Sequence, residues 1–210
     1  MKDNLQDERE RRTSVPAGLD ISDQTREKIF LLIEQFHSLA RVLTAFPRPT
    51  IAVVQGMALG AGNELAACCD FIFASEAASF GQPEVKFGSI PSLAPLLLPS
   101  LIGSRHTLEL ILTGDFMSAK EAQQIGLVYA VSPDEQLWES VEALVSKFRR
   151  LSLAVSQLAL QSARSSRARA LEEHLREAES LYLDQLMDLE DSAEGTKAFL
   201  EKRAPKWRNR

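Results

Sequence analysis

A buried strand that leads through a small-residue turn into a short helix constrains this chain more than any other feature. Residues 50–54 are apolar and mostly β-branched, which predicts a buried strand. Residues 55–62 predict a turn, residues 63–69 a helix and residues 71–74 a second strand. A helix that begins after such a turn exposes unpaired N–H groups and the positive end of its dipole, which can stabilise charge on a carbonyl oxygen.

This pattern alone leaves two interpretations open, a tight structural turn and a site for a developing oxyanion. The turn does not match the phosphate-binding pattern G-x-x-x-x-G-K-[ST]. It is also a poor dinucleotide fingerprint, because the Gly60-Ala61-Gly62 run lacks the third glycine at the required offset.

Two glutamates add a second signal near this turn. Glu64 falls in the first turn of the predicted helix, and Glu84 follows a brief predicted strand over residues 79–81. Glu64 could simply compensate the helix dipole, and Glu84 could be an exposed loop acid. If both reach one apolar cavity, they form a pair that can place a proton and activate water.

The rest of the chain predicts an α/β fold whose C-terminal part is helical. The strand–turn–helix units lie in the first half, and the second half is mostly helical. A capping box is predicted at Ser118 and Glu121. From residue 104 onward, Leu108, Ile111 and Leu112 predict one apolar helix face. Further helices are predicted over residues 29–43, 137–148, 154–164, 169–187 and 192–202, with a strand over 127–131.

Charge and cysteine content exclude several classes of function. The formal net charge of −5 offers no electrostatic footprint for nucleic acid or an anionic membrane. The two cysteines are adjacent, Cys68 and Cys69, so a disulfide framework is excluded and a cytoplasmic location is expected. The charged first 14 residues are not expected to form a signal peptide, and we expect no metal site.

Several motifs together resemble the enoyl-CoA hydratase/isomerase (crotonase) family over nearly the whole chain from Val15. They are the segments 16–21 (PAGLDI), 54–66 (VQGMALGAGNELA), 69–70 (CD), 80–84 (FGQPE), 112–115 (LTGD), Ala122 with 126–128 (GLV), and 198–203 (AFLEKR).

The resemblance implies a spiral of strand–strand–helix turns followed by C-terminal helices that build trimers, often paired as hexamers. We therefore divide the chain into a charged tail (1–14), a partial spiral core (15–135) and a C-terminal helical region (136–210). Family members usually have several strands and a helix before the segment that begins at Pro16, so the N-terminal strands of the spiral are expected to be missing here.

The resemblance also implies a reaction on an acyl-CoA thioester. The backbone amides of Leu19 and Ala61 would hold the thioester oxygen, while Glu64 and Glu84 would act on a water molecule. Contacts to the CoA adenine and pantetheine would come from Ala17, Asp20, Ile21 and Gly60. Coenzyme A is part of the substrate, and no further cofactor is needed.

Both glutamates favour hydration of an enoyl- or dienoyl-CoA over other reactions of the family. Residues 88–99 are richer in proline and leucine than in the usual hydratase. This stretch, residues 181–187 and residues 192–195 resemble the branch that hydrates cyclohexa-1,5-diene-1-carbonyl-CoA. Altered core packing explains the departure equally well. The alternatives are a double-bond isomerase that uses one glutamate, and an inactive, truncated subunit that serves only in assembly.

Overall fold

The computed structural model describes residues 26–210. These residues contain two small sheets of three strands each, with helices packed around them. The helices are α1 (Arg26–Ala45), α2 (Ala61–Cys68), α3 (Ala94–Thr113), α4 (Ala119–Gln124), α5 (Leu137–Phe148), α6 (Leu153–Ser180) and α7 (Glu190–Leu200). The strands are β1 (Ile51–Val54), β2 (Met57–Leu59), β3 (Phe71–Ser75), β4 (Ser79–Gly81), β5 (Phe116–Ser118) and β6 (Ala130–Ser132). Short 3₁₀ turns occur at Pro83–Phe87, Asp134–Gln136 and Leu186–Asp188, and a π turn at Leu181–Gln185.

The strand pairing shows successive turns of a spiral. In the first sheet β3 lies between β1 and β6 and is parallel to both, with Ile51 opposite Phe71. In the second sheet β4 is parallel to β2, with Met57 opposite Ser79, and antiparallel to β5. The unit β1–β2–α2 is therefore followed by β3 and β4 in register with it, one turn further along. This arrangement confirms the predicted α/β class and the strand–strand–helix spiral.

The predicted turn over residues 55–62 was wrong in its middle, because β2 occupies residues 57–59. The backbone of this segment pairs with β4 and its flanks: Gly60 N–H donates to Gly81 O at 2.9 Å, and Ser79 N–H donates to Gly56 O at 3.1 Å. Pairing with a strand more than 20 residues later supplied the hydrogen bonds, which local composition does not reveal.

Helix α3 begins about ten residues before its predicted start. Pro95 lies in the first turn, where its missing N–H costs no helical hydrogen bond, and Pro99 follows inside the helix. Gly103, at φ 77°, interrupts the helical backbone. The predicted apolar face was wrong for two of its three residues: Leu108 and Leu112 are 56% and 67% exposed, whereas Ile111 packs against the core.

The C-terminal half is helical as predicted, with one helix where two were expected. The capping box of α4 is present, since Ser118 Oγ accepts from Glu121 N–H and the Glu121 carboxylate accepts from Ser118 N–H. Helix α6 runs continuously through the gap predicted between residues 164 and 169. Its Arg164 forms a salt bridge with Asp70 and donates to Thr44 O, so α6 is tied to both α1 and the end of α2.

No helix within residues 26–210 is long and apolar enough to cross a membrane. The charged tail over residues 1–14 lies outside the described residues. The division into core and C-terminal regions stays a prediction.

Candidate active site

Glu64 lies in the first turn of α2 and is 2% exposed. Its backbone N–H donates to Gly60 O at 2.9 Å, which closes the first turn of the helix. The side chain points at the beginning of α3, where Oε1 accepts from Leu93 N–H at 2.6 Å and from Ala94 N–H at 2.7 Å. The start of α3 thus holds this carboxylate through Oε1, and the amide of Ser92 also favours its ionised form.

Burial dominates the protonation of Glu64. Removal of the carboxylate from water raises its pKa to about 7, against the opposing effect of the amides of Ala94 and Leu93. The negative charge of Glu84 raises the pKa of Glu64 further. Near neutral pH this carboxyl group exchanges readily between its acid and carboxylate forms, as a general acid or base requires.

Glu84 reaches the same turn from the 3₁₀ segment after β4. Its side chain lies against Gly60, because a β-carbon at Gly60 would be 2.8 Å from Glu84 Oε1. Gly60 has φ 54°, which disfavours residues with a side chain. Burial also raises the pKa of Glu84. Gly60 therefore lies between the two acids: its carbonyl caps the helix that carries Glu64, and its missing side chain admits Glu84.

Two buried amides connect the elements that carry the glutamates. Gln82 and Asn63 are both fully buried. In the orientation of the Gln82 amide that satisfies its neighbours, Nε2 donates to Glu84 Oε1 and Oε2 at 3.0 and 3.1 Å. Gln82 Oε1 then accepts from Asn63 Nδ2 at 3.1 Å. Asn63 is the residue before Glu64, so this chain of hydrogen bonds runs from the first turn of α2 to Glu84.

The sequence pattern did not identify the side-chain amides of Asn63 and Gln82 or the backbone amides of Leu93 and Ala94. Asn63 and Gln82 had a detectable signal, because each is a polar residue in a small or apolar stretch, one or two positions from a glutamate. The start of α3 gave no such signal, since only the tertiary fold brings it to Glu64 from 29 residues away.

Ala61 begins α2 and is exposed. The N–H of a first helical residue has no acceptor within its own helix, so the amide of Ala61 can donate to a bound molecule. Ala17, Leu19, Asp20 and Ile21 lie outside the described residues, and their predicted roles stay predictions.

Residues of the C-terminal half hold the segment that joins Glu84 to α3. Ser89 Oγ lies 3.0 Å from Tyr182 Oη, and Ser92 O lies 2.9 Å from His174 Nε2. Ser89 N–H donates to Glu84 O at 3.0 Å. The helical region therefore supports the backbone around both acids.

The chain is similar to known proteins along most of its length. The family model described as enoyl-CoA hydratase/isomerase matches residues 14–210. A probable mitochondrial enoyl-CoA hydratase of Dictyostelium discoideum is 37% identical over 202 residues, which cover 92% of this chain and 70% of that protein. The cyclohexa-1,5-dienecarbonyl-CoA hydratase of Thauera aromatica is 31% identical over 193 residues, which cover 92% of this chain and 74% of that protein.

Solved structures agree with the observed topology. An enoyl-CoA hydratase from Mycobacterium avium subsp. paratuberculosis superposes with a TM-score of 0.78 at 28% identity, over 86% of this chain and 74% of that chain. A methylmalonyl-CoA decarboxylase superposes with a TM-score of 0.76 at 23% identity, over 92% of this chain and 76% of that chain, and this likeness concerns the fold alone.

Proposed function

The chain belongs to the enoyl-CoA hydratase/isomerase family, and from this membership we propose that it adds water to the carbon–carbon double bond of an enoyl-CoA thioester. The observation that carries the proposal is the approach of the Glu84 carboxyl group to Gly60 at the N-terminus of α2, the helix whose first turn carries the buried Glu64. Burial raises the pKa of each, and the charge of Glu84 raises the pKa of Glu64. Two acids in such surroundings suit proton transfer to and from water near neutral pH.

In the proposed reaction the two glutamates hold one water molecule. One carboxylate takes a proton from the water as its oxygen forms a bond to the β-carbon and the carbon–carbon π bond breaks. The electron pair moves toward the thioester oxygen and gives an enolate, and a proton is then added to the α-carbon. The product is a 3-hydroxyacyl-CoA, so the elements of one water molecule are gained and no oxidant or reductant is needed.

The enolate would be stabilised by amides at the start of α2. The N–H of Ala61 is free of helical partners by its position, and the dipole of α2 favours negative charge there. The amide of Leu19 is proposed as the second donor on the basis of the family resemblance. Ala17, Asp20, Ile21 and Gly60 are proposed to contact the CoA part on the same basis.

The acyl group is proposed to be cyclic, such as a cyclohexadiene carboxylate. One line of support is the 31% identity with the Thauera aromatica hydratase named for such a substrate. Another is the segment that leads into α3. The amides of Leu93 and Ala94 donate to Glu64 there, and Pro91 and Pro95 lie on either side of them in the sequence. Prolines on both sides restrict the backbone that borders the acids.

Assembly into trimers or hexamers and a cytoplasmic location are further parts of the proposal. Light scattering of the purified chain tests the assembly.

The test compares Glu64→Gln and Glu84→Gln with Glu76→Gln, a matched change at an exposed glutamate after β3. Each protein is incubated with straight-chain and cyclic enoyl-CoA thioesters, and water uptake is followed by mass. Both site variants are expected to lose about 10²–10⁴-fold in turnover, the contribution of a general acid or base, while acyl-CoA binding by calorimetry persists. The Glu76 variant is expected to match the unmodified protein.

Other outcomes would contradict the proposal in distinct ways. Full turnover in both site variants would refute the role of the glutamates. A double-bond shift without water uptake, lost in only one of the two variants, would indicate an isomerase. Absence of both acyl-CoA binding and turnover in the unmodified protein would indicate a subunit that serves only in assembly.

A further inference from the structure

We propose that Gln82 is a positioning residue for the hydration reaction, because its amide, which accepts from Asn63 through its oxygen, fixes the Glu84 carboxylate against Gly60 through its nitrogen. This inference rests on the proposed function. It assigns the orientation of the second acid to two buried side chains that would not themselves touch the substrate. The geometry comes from three contacts: Asn63 Nδ2 to Gln82 Oε1 at 3.1 Å, and Gln82 Nε2 to the two oxygens of Glu84 at 3.0 and 3.1 Å.

Only one orientation of the Gln82 amide fits its surroundings. In the reverse orientation the amide oxygen would face the Glu84 carboxylate, and the amide nitrogen would face the Nδ2 donor of Asn63. Both contacts would then join like groups, and Gln82 is fully buried, so no water could relieve them. The Glu84 carboxylate only accepts, so it requires the nitrogen end of the Gln82 amide, and the Asn63 donor satisfies the oxygen end.

Glu84 needs such a partner because its own element is short. It lies in the five-residue turn Pro83–Phe87 and not in a long helix. The terminal torsion of a glutamate is broad and has no strong intrinsic preference, so neighbouring donors decide where its oxygens point. A donor that contacts both oxygens fixes the plane of the carboxylate, and Gly60 supplies the open space on the other side.

The same contact opposes the effect of burial on Glu84. Removal from water raises the pKa of this carboxyl group, whereas hydrogen bonds donated to a carboxylate favour the ionised form. Of the charged groups nearby, Glu64 on α2 interacts with Glu84 and is itself an acid. Lys86 of the same turn is paired with Asp115 at 2.7 Å. The Gln82 amide is thus a neutral donor that keeps Glu84 in its carboxylate form beside a second acid.

The test uses Gln82→Met, which preserves approximate size and removes both amide contacts. Asn63→Leu leaves the Gln82 amide in place but removes the donor that anchors its oxygen. Ser75→Ala is the control, since it removes another fully buried polar group, whose hydroxyl donates to Gln55 O. Thermal melts and circular dichroism establish that each variant is folded. The assay measures kcat, KM and the pH profile of kcat/KM with an enoyl-CoA thioester.

Gln82→Met is expected to lower kcat by about 10- to 100-fold, the usual effect of losing hydrogen bonds to a charged group. KM should stay within about threefold, because the amide would not touch substrate. The acidic limb of the kcat/KM profile should move upward by about one pH unit, since the carboxylate loses its donors. Asn63→Leu should lower kcat and move the acidic limb in the same directions by smaller amounts. Ser75→Ala should leave both kcat and the acidic limb unchanged.

An unmoved acidic limb and an unchanged kcat in Gln82→Met would overturn the proposal. If that variant does not fold, Asn63→Leu decides alone, and an unchanged pH profile there has the same consequence. Glu84→Gln in the same assay separates the two levels of inference. Full turnover in Glu84→Gln refutes the proposed function, whereas lost turnover there with unmodified kinetics in Gln82→Met refutes only the positioning role.

Discussion

Replacement of Glu64 by glutamine is expected to stabilise the folded protein at alkaline pH and to have little effect near pH 5. Glu64 is 2% exposed, and burial raises its pKa from 4.5 to about 7. Glutamine has nearly the same shape, and its oxygen can still accept from the amides of Leu93 and Ala94. The substitution therefore removes the buried charge and keeps the packing.

The sign follows from proton binding. Between about pH 4.5 and pH 7 the folded state holds the Glu64 proton and the unfolded state releases it, so the free energy of unfolding falls as the pH rises. The stability that the protonated Glu64 carboxyl group contributes is fully present below its unfolded pKa and is lost as the pH rises through its folded pKa. One pKa unit corresponds to about 1.4 kcal/mol, so the shift corresponds to a loss of about 3 kcal/mol at pH 8.

The assay is urea denaturation of the unmodified protein and of Glu64→Gln at pH 5 and pH 8, at one fixed protein concentration because self-association would change apparent stability. Because pH 5 already lies above the unfolded pKa, the variant is expected to gain about 2–3 kcal/mol in the free energy of unfolding, relative to the unmodified protein, from pH 5 to pH 8. In a thermal melt this corresponds to about 5–10 °C for a chain of this length.

Glu121→Gln is the matched control because its pKa shift has the opposite direction. Hydrogen bonds from Ser118 lower the pKa of Glu121, which is fully exposed. The stability that the ionised Glu121 contributes is present above its unfolded pKa and is lost as the pH falls through its folded pKa. Glu121→Gln should therefore show no gain in the free energy of unfolding at pH 8. Equal stability differences for Glu64→Gln at pH 5 and pH 8 would refute the reasoning, since they would mean that no buried charge forms at residue 64.

Two further predictions concern the turn and the attachment of α6. Gly60→Ala should lower turnover by about tenfold or more in a folded protein, because its β-carbon would lie 2.8 Å from the carboxylate of the second glutamate and φ is 54°. Gly56→Ala, with no atom within 4 Å of its added carbon, should match the unmodified protein, and equal activity in both variants would contradict the close approach. Arg164→Met should lower the free energy of unfolding by about 1–3 kcal/mol in urea, because the carboxylate of Asp70, only 12% exposed, loses its charged partner and keeps only the hydrogen bonds from Thr50. Arg41→Met should cost less than about 1 kcal/mol because its ion pair is exposed, so a similar loss in both arginine variants would contradict the burial argument.

The local chemistry of particular segments predicted much of the secondary structure. The mostly β-branched run at residues 51–54 forms a strand, as such residues favour, but its four residues are half-buried at the edge of the sheet and not buried as predicted. The capping box of Ser118 and Glu121 forms because its hydrogen bonds join residues three apart. Neither case requires information from distant parts of the chain.

Prediction failed where distant backbone decided the outcome. β2 formed in a segment rich in small residues because β4 offered hydrogen bonds to it. Leu108 and Leu112 have helical spacing, yet they lie on the exposed side of α3, while Thr107 and Leu110 are buried. Periodicity shows that a helix has an apolar face, but the direction of that face depends on what the helix packs against.

The sequence by itself determined the family and the α/β class and singled out Glu64 and Glu84 as candidates, because these depend on residue types in recognisable local motifs. Only the tertiary structure decided how the acids are held. Glu64 meets the amides of Leu93 and Ala94, and Glu84 meets the amide of Gln82. These contacts depend on the packing of β4 and α3 against α2. Burial, which controls the protonation of both acids, arises only when the chain has folded around them.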